Sequence, residues 1–150
     1  MHMDKFTKMK NTIENARDIV DFAPYGEGSS EEWIKKAEER LKIHLPKSYK
    51  WWLMNYGGGE IAGDEIYSIY EMDFDTVDGG DIVYMYELNK KLYQYPDNIL
   101  VICEAEDEIF YFDTSKNFID NEYPVFEFYS KEMYANDFFD FLEKRIAEFA

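Results

Sequence analysis

A single cysteine and two histidines stand in 150 residues. Cys103 alone closes no internal disulfide, so nothing points to an oxidising compartment. With so few soft ligands, a structural zinc site is excluded. Long apolar runs are missing too. No stretch approaches the roughly 18–20 residues of a membrane-spanning helix, and the segment around Met1-His2-Met3 lacks the apolar core of a signal peptide. Positive charge is scarce: Lys and Arg number 16 against 32 Asp and Glu, a net charge of −16. Such a chain is repelled by phosphate backbones and anionic bilayers, so neither nucleic acid nor membrane is expected as a direct partner. A cytoplasmic protein without a cofactor is the expectation.

What is present is aromatic mass. Tyr 13, Phe 12 and Trp 3 make 19% of the chain, too much large apolar surface for a disordered acidic tail. One domain covering residues 1–150 can close its own core.

Charge is divided unevenly. Residues 1–50 carry ten basic and nine acidic side chains, while residues 51–150 carry six and twenty-three. Between Lys50 and Lys90, and again between Lys91 and Lys116, no basic residue occurs. An acidic field either keeps the chain soluble or serves a basic partner. The candidate partner-binding carboxylates are Asp64, Glu65, Asp73, Asp75, Asp78 and Asp81 in the first segment. Glu104, Glu106, Asp107 and Glu108 are their counterparts in the second. Interleaved Tyr67, Tyr70, Phe74, Tyr84 and Tyr86 are candidate anchors of the kind protein interfaces favour.

Periodicity gives the elements. Phe6, Met9, Ile13, Ala16 and Val20 lie on one helical face. Ser29 with Glu32 reads as a capping box for a second helix. Pro46 suits the start of a third, which stops at Gly57-Gly58-Gly59. Strands follow around a Gly63-Asp64 turn, then an acidic loop over 73–81 and a helix over 82–93. Ile99–Cys103 and Ile109–Asp113 form a hairpin, Pro124–Tyr129 is a strand, and Asn136 or Asp137 caps a last helix carrying Phe138, Leu142, Ile146 and Phe149. Helices at both ends of a run of strands predict an α+β fold: a central, mainly antiparallel sheet flanked by N-terminal helices and a C-terminal helix.

Sharper readings fail on spacing. Counted from Asp73, a calcium loop would need a ligand at Val77, glycine at Asp78 and glutamate at Tyr84. The triple glycine ends a helix, where the dipole repels an anion, and so makes no phosphate cradle. Cys103 paired with His44 or His2 would be a nucleophile and base, but a cysteine in an apolar strand is a core residue. Abundant carboxylate pairs single out none for hydrolysis. No catalytic residue is assigned. Trp51 and Trp52 are adjacent on a helix, so one indole must turn outward and offers a contact point.

The run Ile34–Ile61 contains Ile34, Leu41, Leu45, Pro46, Tyr49, Trp52, Leu53, Tyr56, Gly58 and Gly59 in the spacing I…AE…L…LPxxYxxFLxxYNGG, with Gly57 where Asn is frequent. It resembles the SMI1/KNR4 family of the SUKH superfamily, and the resemblance extends over about residues 30–149. That resemblance implies a binding role. Bacterial members are mostly immunity proteins that bind a cognate toxin, often a nuclease, and the fungal namesake regulates cell-wall glucan synthesis. The implied function is non-enzymatic neutralisation of a protein toxin, with a regulatory or scaffold role as the alternative. Neither the toxin's identity nor the oligomeric state follows from it.

Overall fold

The computed structural model describes residues 3–116 and 118–150; His2 and part of the 114–121 connection lie outside them. In chain order the elements are α1 (Lys5–Glu14), β1 (Val20–Phe22), α2 (Glu31–Leu41), α3 (Lys47–Tyr56), β2 (Gly59–Ile61) and β3 (Asp64–Ile66). Then come α4 (Ile82–Tyr93), β4 (Ile99–Glu104), β5 (Ile109–Asp113), β6 (Val125–Glu127), β7 (Met133–Ala135) and α5 (Phe138–Phe149). All strands join one antiparallel sheet in sequence order, β1 to β7. The fold is α+β.

Several boundaries differ from the sequence reading: the hairpin turn is Ala62-Gly63 rather than Gly63-Asp64, β6 fills only Val125–Glu127 of the expected 124–129 strand, and two helix ends move. The first helix stops at Glu14, and Val20 opens β1 by pairing with Ile61. Val20 lies in helical phase with Ile13 and Ala16, but it is equally in phase with Phe22 as an alternating strand, and the β2 hydrogen bonds decide. Arg17 holds the connection, donating to the Phe22 and Ala23 carbonyls at 2.8 and 3.0 Å. The second helix is capped by Ser30, whose Oγ accepts from the Trp33 N–H. Ser29 is buried and donates its N–H to the Leu53 carbonyl instead. The short strand β7 carried no periodicity long enough to be read.

Pro46 stands at the N-cap of α3, one residue before Lys47, and its ring offers no acceptor to the first turn. The missing acceptor comes from Glu122, 74 residues away: its carboxylate accepts from Ser48 N at 2.9 Å and Ser48 Oγ at 2.6 Å. The helix stops at Gly57 with φ 69°. Beyond it, Gly59 lets β1 approach closely, because an added Cβ would sit 2.0 Å from the Asp21 carbonyl oxygen. The β2–β3 turn uses Ala62 and Gly63, both at positive φ, as a tight hairpin requires.

Helices α3 and α5 cover one face of the sheet. Tyr49 meets Phe112 and Phe138 edge-on at 5.7 and 5.1 Å, Trp52 contacts Phe22 and Phe138, and Phe110 meets Phe141 at 5.2 Å. Ile34, Leu41, Leu45, Tyr49, Trp52, Leu53 and Tyr56 are all buried in this core. Trp51 is the half-exposed indole of its pair, packed against Phe6 and Phe139. Phe149 leaves the core and is exposed.

Candidate partner-binding surface

The ten candidate carboxylates separate into those the fold consumes and those it presents. Asp81 is 0% exposed. It caps α4, accepting from the Tyr84 N–H at 3.0 Å, and its other oxygen accepts from the Tyr70 N–H at 3.0 Å. A buried carboxylate with two backbone partners is withdrawn from any docking surface, which corrects its place among the candidates. Asp64 is paired at 2.7 Å with Arg145 of α5, which is 3% exposed and also meets Glu148 at 2.8 Å and Glu108 at 3.5 Å. Asp75 is taken up by Arg40 of α2 at 2.8 Å, and the same guanidinium grips Glu87 at 2.7 Å. The two carboxylates hold Arg40 above its ordinary value despite a small desolvation cost. Asp73 is exposed and accepts from the Asp75 N–H, and Glu65 accepts from the Tyr70 hydroxyl at 2.6 Å.

The 70–81 loop is thus an anchored segment. Phe74 packs edge-on to Trp33 at 5.7 Å, Val77 is buried, and Glu71 accepts from the Ser30 N–H at 2.8 Å. Glu71 thereby does for α2 what the Glu32 of a capping box would have done. Among the candidate aromatic anchors, Tyr67 and Tyr86 are buried, Phe74 and Tyr84 half-buried, and Tyr70 exposed. Tyr67 and Tyr86 are core residues, a second correction.

What remains presented is Asp78 in the loop and Glu104, Glu106 and Asp107 at the β4–β5 hairpin, all exposed, together with half-buried Glu65, of which Tyr70 engages one oxygen only. No Lys or Arg among the described residues lies within ion-pair distance of Asp78, Glu106 or Asp107. Glu108 is half-buried and held above its ordinary value by burial, with Arg145 pulling the other way.

Strand register adds a feature that sequence reading missed. Asp21 pairs with Glu60, Glu60 pairs with Glu65, and the Ile66–Cys103 pair sets Glu65 beside Glu104. Four carboxylates therefore form a file across β1–β4 on the face opposite Ile61, Ile66 and Cys103, which are buried. Like charges placed directly across a strand pair repel, so this file costs the fold stability. Sequence hides Asp21 because the run up to Val20 has helical spacing. Only the β1–β2 register, a pairing across 39 residues of chain, reveals it.

The residues considered for chemistry lie apart in character. Cys103 is buried, and burial pushes its thiol up to about 12, so it stays protonated at neutral pH. His44 is exposed. Gly57 donates its N–H to the Leu53 carbonyl as a helix stop. Among the described residues, no three His, Cys, Asp or Glu side chains group to hold a metal ion, and no helix is long and apolar enough to cross a membrane.

A family model described as SMI1-KNR4 cell-wall, of the SUKH_6 group, matches residues 31–142. The chain belongs to the SMI1/KNR4 family of the SUKH superfamily. The matched span runs from the first residue of α2 into α5 and takes in β2–β7. Members of this family generally act without catalysis.

Proposed function

We propose that this protein is an immunity protein: it binds a cognate bacterial protein toxin stoichiometrically in the cytoplasm and masks it without making or breaking a bond. Family membership supports a binding role. The observation that carries the charge side of the reading is the set of exposed carboxylates left without cationic partners, against a net charge of −16. A toxin that grips nucleic acid needs a basic groove, and fixed carboxylates complement it and speed encounter to as much as about 10⁸ M⁻¹s⁻¹ at low salt.

The test is a pull-down from the source cell followed by co-expression with the toxin domain that it captures. Restored growth and a 1:1 complex on size-exclusion chromatography are expected, and toxicity unaffected by co-expression overturns the reading. A second reading, a regulatory scaffold, rests on the cell-wall description of the matching family. Absence of any toxin gene in the neighbourhood, with altered wall composition on deletion, would favour it.

A further inference from the structure

The face that carries the acidic file does not end at β4. Glu104 pairs with Ile109, Tyr111 stands two residues on along β5, Tyr111 pairs with Phe126, and Phe126 with Met133. Directly paired residues, and residues two apart on one strand, share a face. One face of the sheet thus reads Asp21, Glu60, Glu65, Glu104 over β1–β4 and Ile109, Tyr111, Phe126, Met133 over β5–β7. Its apolar half is extended by neighbouring segments. Tyr95 stacks on Phe128 at 4.9 Å, Phe128 meets Tyr111 and Tyr129, and Tyr93 lies 5.7 Å from Tyr95. Tyr93, Tyr129 and Met133 are 64%, 65% and 54% exposed, and the rings between them join them into one patch rather than leaving them scattered singly. The halves adjoin at the Glu104–Ile109 pair, where the last carboxylate of the file meets the first apolar residue.

We propose that this sheet face, rather than the 73–81 loop, is the docking footprint for a protein partner that sets Lys or Arg side chains against Asp21, Glu60, Glu65 and Glu104 and an apolar patch against Tyr93, Tyr129 and Met133. The proposal rests on the partner-binding reading above and names its surface. Two independent costs meet here. A repulsive file of carboxylates and a set of exposed aromatic side chains are both relieved by one kind of occupant, a cationic surface with apolar neighbours. The internal pattern agrees, for Lys116 already sits 5.8 Å over the Phe126 ring. The anchored loop offers less, because Arg40 and backbone donors already engage Asp73 and Asp75, and Asp81 is buried.

The experiment uses a synthetic twelve-residue peptide alternating Lys or Arg with Leu and Trp, titrated at low salt into isotopically labelled protein. Amide shifts should concentrate at Asp21, Glu60, Glu65, Glu104, Tyr93, Tyr129 and Met133. Shifts centred on 73–78, spread over all acidic residues, or confined to the acidic half overturn the footprint. Glu60→Lys should weaken peptide binding about tenfold while leaving thermal stability equal or higher, since it breaks the like-charge file. Lost stability with unchanged affinity would count against the proposal. A second arm asks whether E60K and Y129S still protect cells from a toxin captured by the wild-type protein. Protection by wild type and equally by both variants removes the footprint and keeps the immunity reading. No protection by wild type, with the peptide mapping to this face, does the reverse.

Discussion

The 70–81 loop and the 104–108 hairpin look alike as sequence, each a run of carboxylates without a basic residue. In the fold they differ. Asp78 aside, the loop's charges are spent on structure: Asp81 caps α4 from a buried position, Asp75 holds Arg40, Glu71 serves the start of α2, and Asp73 turns its own backbone. At the hairpin, Glu106 and Asp107 stand in solvent. Formal charge and available charge are different quantities, and only the second can steer a partner.

Mutation should separate spent from presented charge, beginning inside the loop. Asp81→Ala removes a helix cap and strands the buried-side Tyr70 N–H, so it should destabilise by about 2 kcal/mol. Asp78→Ala, three residues earlier and exposed, should stay within about 0.5 kcal/mol. Urea denaturation of the pair checks this, and equal losses would erase the distinction.

Asp113 extends the consumed class. Burial pushes its carboxyl up, but hydrogen bonds from Ser115 and Asn98 outweigh that and hold it below the usual carboxylate range. Glu127 is likewise raised by burial and lowered more by the Tyr129, Ile109 and Ser130 N–H groups. A folded-state value below the unfolded one contributes stability above the unfolded value, lost as pH falls through the folded one. Asp113→Asn should therefore cost about 1 kcal/mol at neutral pH. The deficit should shrink below about pH 4. Unfolding curves across that range test the sign, and a constant deficit would contradict it.

Smaller effects sharpen the contrast. Arg40→Met should cost about 0.5–1 kcal/mol, since the guanidinium is partly exposed. Faster hydrogen exchange should be confined to 71–78. At the low end, Glu106→Ala with Asp107→Ala should leave thermal stability unchanged within about 0.5 kcal/mol. A large loss there would mean the hairpin charges carry structure after all.

Most of the fold was legible because local signals were strong. The Pro46 start, the Gly57 stop and the apolar run of β4 each act within a few residues. What escaped depended on distant partners. The end of α1 could not be read because Val20 satisfies two periods at once. The cap of α2 moved from Ser29 to Ser30 because Glu71, 41 residues away, supplies the second acceptor. The acidic segments were visible as composition, but the fate of each carboxylate was not, since Arg40 and Arg145 reach them from other elements.

Sequence alone determined the α+β class, the family motif and its buried side chains, and the excess of negative charge, because these follow from residue type and short-range spacing. Tertiary structure decided which charges face outward, and aligned Asp21, Glu60, Glu65 and Glu104 into one file. The reason is physical: register between strands is set by backbone hydrogen bonds over long chain separations, and no local pattern encodes which carboxylates will meet.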